Sequence, residues 1–243
     1  MLVAAPELTD GYGGLFGEVV TEDCYRLRTL DFVPDVVFDL GANIGVFARF
    51  ARELWPDALI VCVEPNAENL DHLNRFTPPH PRTVMLNKAI GRGRIWRGLG
   101  AANGAHESYM SAGLGFDEAM LTTADGLVSY PTMAVKDSPG FERADVPTVM
   151  LDELVNEWVS VGARAILKLD IEGGENALVE HEPSVEALRR FDYIAAEIHL
   201  YTLRGGNVVE TNDRTVAALK TLEPTHDCAR EHVMFYARRR NGA

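Results

Sequence analysis

Short apolar runs rich in β-branched residues recur along the chain and alternate with stretches whose apolar residues fall at helical spacing. That alternation predicts an α/β fold in which a mostly parallel sheet is covered by helices. Val36 to Leu40 and Leu59 to Val63 are apolar at nearly every position, as strands buried on both faces must be. Val46 to Leu54 between them has helical spacing and completes a βαβ unit. Further strands are predicted at Thr83 to Leu86, Ala165 to Leu169, Tyr193 to Leu200 and His232 to Arg238. Helices are predicted at Ala67 to Phe76, Leu151 to Val159, Glu175 to His181 and Asp213 to Leu222, with Asn212 as N-cap of the last.

Two stretches depart from the alternation. Residues 91–147 are rich in Gly, Ser, Met and Tyr without a sustained period, and read as an irregular insert or lid in the domain, with irregular edge hairpins as the alternative. Residues 1–30 carry Gly11, Gly13, Gly14 and Gly17 and read as an N-terminal arm that either covers the site or frays, leaving 31–243 as the main domain.

Composition narrows the classes. The 243 residues suit one large domain, and 23 Lys and Arg against 36 Asp and Glu give a net charge of −13. That excess opposes broad attachment to nucleic acid or an anionic membrane, so neither is an expected partner. The one dense basic run, Arg238, Arg239 and Arg240, reads as a solvated tail. Cys24, Cys62 and Cys228 form neither a disulfide framework nor a zinc spacing, and with no leader or membrane-spanning stretch visible the expected setting is the cytoplasm.

The strongest chemical signal is Val36-Val37-Phe38-Asp39-Leu40-Gly41-Ala42-Asn43-Ile44-Gly45, a buried strand entering a glycine turn that opens a helix. Ligands bind such sheets beyond the C-terminal strand ends. A dinucleotide-binding loop needs glycines at relative positions one, three and six, where this chain has Gly41, Asn43 and Val46. An acid before the turn sits poorly beside a pyrophosphate and well beside an ammonium group, so the ligand inferred is S-adenosylmethionine. Gly41 and Gly45 are expected to admit the ligand close to the backbone, and Asp39 to accept from its cationic group. Glu64, ending the second strand in Val63-Glu64-Pro65-Asn66, is placed to accept from ribose hydroxyls, and Asn66 to reach the adenine side.

These blocks, with Leu151-Asp152-Glu153-Leu154 and Leu167-Lys168-Leu169-Asp170-Ile171-Glu172-Gly173-Gly174-Glu175, resemble the FkbM-type methyltransferases from about Val36 to Leu200. The resemblance implies the class I methyltransferase (Rossmann-like) fold, a seven-stranded mostly parallel sheet with helices on both faces. It also implies methyl transfer from S-adenosylmethionine, most often to a hydroxyl of a sugar, polyketide or other natural product. This chain has Asp39-Leu40-Gly41 and a doubled Gly173-Gly174 where the family often has Asp-Val-Gly and one small residue.

Asp170, Glu172 and Glu175 gather acids at a strand end, where the alternative for Glu175 is a helix cap. Glu197 and His199 share one face of the next strand. Methylating an alcohol needs a base, and His199 is the candidate, with Asp170 positioning the hydroxyl and Glu172 or Glu197 fixing the imidazole. The same residues, Asp170, Glu172, Glu197 and His199, could instead hold a divalent ion, which is the less favoured mechanism. Lys168, read as lying on the opposite face from the acids, is expected to pair with an acid. Trp96, Tyr109, Phe116 and Tyr130 are candidate pocket residues. Competing functions are N- or C-methylation, a nicotinamide-dependent oxidoreductase, and a binding module without catalysis.

Overall fold

The computed structural model describes residues 13–77, 79–91, 95–98, 109–111, 122–123, 126–127, 141–144, 146–171, 174–198, 201–204, 207–210, 212–240 and 242. In chain order the elements are α1 (Gly13–Phe16), β1 (Val36–Leu40), α2 (Val46–Leu54), β2 (Leu59–Val63), α3 (Ala67–Phe76), β3 (Thr83–Leu86), β4 (Ala89–Ile90) and β5 (Ile95–Gly98). Then come β6 (Tyr109–Ser111), β7 (Thr122–Thr123), β8 (Gly126–Leu127), β9 (Phe141–Ala144), β10 (Thr148–Val149), α4 (Leu151–Trp158), β11 (Ala165–Leu169), α5 (Glu175–Val179) and α6 (Glu182–Ala187). The last are β12 (Tyr193–Glu197), β13 (Tyr201–Arg204), β14 (Asn207–Glu210), α7 (Asn212–Lys220), β15 (His226–Glu231) and β16 (Met234–Arg239).

Seven strands form one sheet in the order β15-β16-β12-β11-β1-β2-β3. It is parallel except for β16, which runs antiparallel to both neighbours. The order places β1 and β11 at the centre, where strand direction brings both C-terminal ends to one edge. Asp39 lies directly across from Lys168 in that central pair. Alternation along each strand then fixes which layer covers which side chain. Phe38, Leu40, Leu167, Leu169 and Ile194 enter the core under α4 to α7. Val37, Ile166, Tyr193 and Ala195 enter the core under α2 and the segment before β1. Asp39, Lys168, Asp170 and Glu197 share the parity of this second set.

The segment before β1 is a packed element. After α1 the chain makes a π-helical turn over Gly17–Thr21 and a 3-10 turn over Leu27–Thr29, burying Val19, Val20, Tyr25 and Leu27. Opposite it, α4 and α6 are joined through Asp152 of the Leu151-Asp152-Glu153-Leu154 block. The Ser184 hydroxyl donates to Asp152 at 2.9 Å, and the His181 ring lies 3.0 Å from the same hydroxyl and 3.3 Å from Asp152. Ser184 and His181 are buried, so this Ser-His-Asp group is a structural pin.

Arg238 and Arg239 belong to β16, a strand of the seven-stranded sheet, and form no free tail; at its surface Arg238 pairs with Asp31 and Arg240 with Asp227. The polar strand β15 carries no apolar run, because only its pairing with β16 makes it a strand. Asn212 is the first residue of α7 and not its N-cap. Within 91–147 the described residues include paired strands, β5 between β6 and β9 and the β7–β8 pair.

Candidate active site

The first motif folds as a turn held from three sides. Gly41 adopts φ +76°, and a Cβ there would stand 1.8 Å from the Asp170 backbone oxygen. Gly45 adopts φ +90°, and its Cβ would stand 2.6 Å from Leu73 Cγ. The glycines are therefore required by the protein's own close approaches, to β11's exit and to α3, apart from any ligand. Asn43 adopts φ 49° and donates its amide to Glu64 Oε2 at 2.8 Å.

Glu64 thereby ties the two strand ends together. Its other oxygen accepts from the Asn66 amide at 2.9 Å and from Asn69 Nδ2 at 3.3 Å. Burial raises the Glu64 pKa, and the Asn66 and Asn43 amides oppose that rise. The Asn66 side chain caps α3, accepting from the Glu68 amide at 2.8 Å.

Asp39 is fully buried, and its cation is internal. Lys168 Nζ lies 3.2 Å from Asp39 Oδ1 and 3.5 Å from Asp170 Oδ2. It also donates to the carbonyls of Leu40 at 3.3 Å and Gly41 at 2.5 Å. Lys168 thus pairs with acids as expected, but from their own face, since positions 168 and 170 share parity. Burial disfavours the ammonium, yet Asp39 and Asp170 outweigh it and raise the Lys168 pKa. Burial likewise raises the Asp39 pKa, with Lys168 pulling the other way.

The segment before β1 supplies groups absent from the sequence reading. The Tyr25 hydroxyl donates to Asp170 Oδ2 at 3.0 Å. Burial, the negative charge of Asp170 and the other neighbours raise the Tyr25 pKa well above its ordinary value, so it remains a neutral donor. Cys24 is pushed up to about 12 by burial and by Glu18, Glu197 and Asp170, which makes it a poor nucleophile. Partial burial and Asp170 raise the Glu18 pKa as well. The available signal for this packing was the apolar set Val19, Val20, Tyr25 and Leu27.

The remaining candidates divide. Glu197 ends β12 one residue past the paired Leu169 and Ala196, beside Asp170 in register. Glu175 turns back to accept from the Ile171 amide at 3.0 Å, so it closes a loop as a cap does. His199 and Glu172 lie outside the described residues, as do Phe116 and Tyr130; of Trp96 and Tyr109 only the strand positions, in β5 and β6, are described. Among the described residues no three His, Cys, Asp or Glu side chains are grouped to hold a metal, and no helix is long and apolar enough to cross a membrane.

Comparison with known proteins gives these features a family. Residues 39–222 match the model of the methyltransferase FkbM domain. The chain is 33% identical over 76 residues to the methyltransferase sdnD of Sordaria araneosa, covering 31% of this chain and 26% of that protein. It is 42% identical over 52 residues to the 31-O-demethyl-FK506 methyltransferase FkbM of Streptomyces tacrolimicus, covering 21% and 20%. These alignments span about a quarter or less of either relative. The crystal structure of human N-acetylserotonin methyltransferase with its cofactor is similar at 10% identity and a TM-score of 0.41, over 93% of this chain and 53% of that one, a likeness too remote to carry an argument. The family match alone spans both strand-end turns, the Lys168 and Asp170 strand and Glu197. The chain belongs to the methyltransferase FkbM domain family, a family of S-adenosylmethionine-dependent methyltransferases.

Proposed function

We propose that this protein transfers a methyl group from S-adenosylmethionine to a hydroxyl oxygen of a small molecule. The observation that carries this reading is the junction at Glu64, which locks the Gly41 to Gly45 turn to the start of α3 through the Asn43 and Asn66 amides. The residues suit the cofactor. Asn43 Oδ1 is buried without a hydrogen-bond partner among the described residues, beside a carboxylate with further acceptor capacity. Asp39, Glu64, Asp170 and Glu197 against Lys168 leave the strand ends net negative, which favours a sulfonium ligand over a pyrophosphate.

When bound, S-adenosylmethionine supplies a methyl group on a sulfonium sulfur. The acceptor oxygen must lose its proton as it forms the C–O bond and the C–S bond breaks. His199 is the proposed base, Asp170 the group that orients the hydroxyl, and Glu172 or Glu197 the partner that fixes the imidazole. Asp39 acts at one remove, by holding Lys168 on the turn. The name of the Streptomyces relative, a methyltransferase of an O-demethyl compound, supports oxygen as the acceptor atom. A base without metal is the preferred mechanism.

The test is incubation with methyl-labelled S-adenosylmethionine and a panel of hydroxylated small molecules, with and without chelator. Label is expected on oxygen, with chelator inactive. Label on nitrogen or carbon overturns the acceptor, and loss of transfer in chelator restored by magnesium overturns the metal-free mechanism. Nicotinamide-cofactor binding without S-adenosylmethionine binding overturns the reading entirely. His199→Ala is expected to bind cofactor almost normally and to turn over at least tenfold more slowly; normal turnover removes its role.

A further inference from the structure

We propose that Tyr25, outside the sheet and outside the matched family region, is a positioning residue for the cofactor turn, acting through Asp170 and Lys168. The inference rests on the function proposed above. Its basis is an unbroken set of contacts. The Tyr25 hydroxyl donates to Asp170 Oδ2, the oxygen that Lys168 also faces. Lys168 divides its ammonium among Asp170, Asp39 and the carbonyls of Leu40 and Gly41. An ammonium has three protons for these four oxygens, so its position depends on how strongly each acid draws it. The tyrosine hydroxyl offsets part of the Asp170 charge and leaves Lys168 on the turn carbonyls. Without it, Asp170 draws Lys168 away from Gly41.

Tyr25 is fixed for this task from several directions. Its ring meets Phe47 of α2 edge-on at 5.2 Å between centroids. Its carbonyl accepts from the Tyr193 hydroxyl at 3.1 Å, and the preceding carbonyl, of Cys24, accepts from the Tyr236 hydroxyl at 2.7 Å. Arg26, in the left-handed region at φ 55°, stacks on the Tyr236 ring and pairs with Glu231. Two tyrosines from β12 and β16 thus hold the segment's backbone, while Tyr25 sends its hydroxyl to the strand ends. The segment is thus anchored against the C-terminal ends of the central strands, and the family match, which begins at residue 39, does not include it.

The test measures binding of S-adenosylmethionine and of its neutral product, S-adenosylhomocysteine, by titration calorimetry. The proteins are wild type, Tyr25→Phe, Asp170→Asn, the double variant, and Phe50→Leu, buried in the same core, as a packing control. Tyr25→Phe is expected to weaken S-adenosylmethionine binding about threefold to tenfold, the range for one hydrogen bond to a charged group only partly transmitted to the turn. The ratio of the two affinities changes with it, because the displaced groups are charged and only one ligand is a cation. In the Asp170→Asn background the same change has less than a twofold effect. Phe50→Leu lowers the unfolding midpoint and leaves the ratio alone, which separates positioning from general loosening.

An unchanged ratio in Tyr25→Phe overturns the inference, as does an effect that persists in full without the Asp170 charge. Should Tyr25→Phe fold poorly, Asp170→Asn alone decides: an affinity ratio equal to wild type overturns it. If wild type binds neither ligand, the proposed function fails and the positioning role falls with it.

Discussion

The two ends of the central strands are both built from ion pairs, and they solve opposite problems. At the C-terminal end Lys168 and Asp39 have side chains 5% and 0% exposed. At the N-terminal end Arg238, Arg164, Arg239 and Arg240 line a hollow of about 270 Å³ with Asp31, Phe32 and Asp192. Its pairs are open to water: Arg238 and Asp31 are 42% and 78% exposed, and Arg240 and Asp227 48% and 75%. Water screens the second set, so each pair is worth little. The buried set costs desolvation, and removing one partner strands a charge. Here the buried set lies beside the glycine turn, with Lys168 donating to the Leu40 and Gly41 carbonyls.

Breaking the buried set has the largest expected effect. Lys168→Ala leaves Asp39 without its counter-ion and is expected to cost about 3–5 kcal/mol in equilibrium unfolding. It also has a pH signature. Asp39 and Asp170 raise the Lys168 pKa in the folded state, so its stabilisation is complete below the ordinary value of 10.5 and disappears as pH rises through the folded value. The stability gap between wild type and Lys168→Met should therefore narrow at alkaline pH; a constant gap from pH 7 to the alkaline limit contradicts the pairing.

Next is Gly41→Ala, expected to cost about 2–4 kcal/mol because the new Cβ meets a backbone oxygen and the left-handed φ strains any L side chain. The equivalent change at Gly162, which also has φ +82° but nothing within 4 Å, is expected to carry only the φ penalty. Equal losses at the two glycines, read from urea melts, would show that the approach to Asp170 is not tight.

Glu18→Gln has a smaller effect of opposite sign. Partial burial, Asp170 and Glu22 raise the Glu18 pKa. The ionised form therefore opposes folding at neutral pH, and the variant is expected to gain stability there. The gain shrinks as pH falls through the folded pKa toward the ordinary value of 4.5. No gain at pH 7 in thermal melts contradicts the crowding of Glu18 against Asp170. Smallest is Asp31→Ala at the open end, expected to change stability by less than about 1 kcal/mol, and by less still in high salt. A loss as large as that of Lys168→Ala would erase the contrast between the two ends.

The central elements were legible because each rests on a local pattern. Val36–Leu40, Val46–Leu54, Leu59–Val63 and Ala67–Phe76 have the predicted bounds, since continuous apolar runs and helical spacing need no distant partner to be recognised. The strand β15 was missed because its residues alternate around charges and become a strand only through β16. The sequence places Asp39, Gly41, Asn43, Glu64 and Asp170 at the strand ends, where they stand in the structure, and gives no sign of the protein contacts they make there. Asp39 holds an internal lysine, and the glycines admit backbone and Leu73.

By itself the sequence determined the central strands and helices, the glycine turn, the acids at strand ends and, through separated blocks of residues, the resemblance to the family. The first three depend on periodicities and spacings between near neighbours, which the chain carries wherever it folds. Only the tertiary structure decided which charge meets which. Lys168 and Asp39 lie 129 positions apart, and Tyr25 and Asp170 lie 145 apart. Such pairs exist only after the sheet sets its order and the segment before β1 packs against it, because a charge becomes costly, and so in need of a partner, only once burial removes its water.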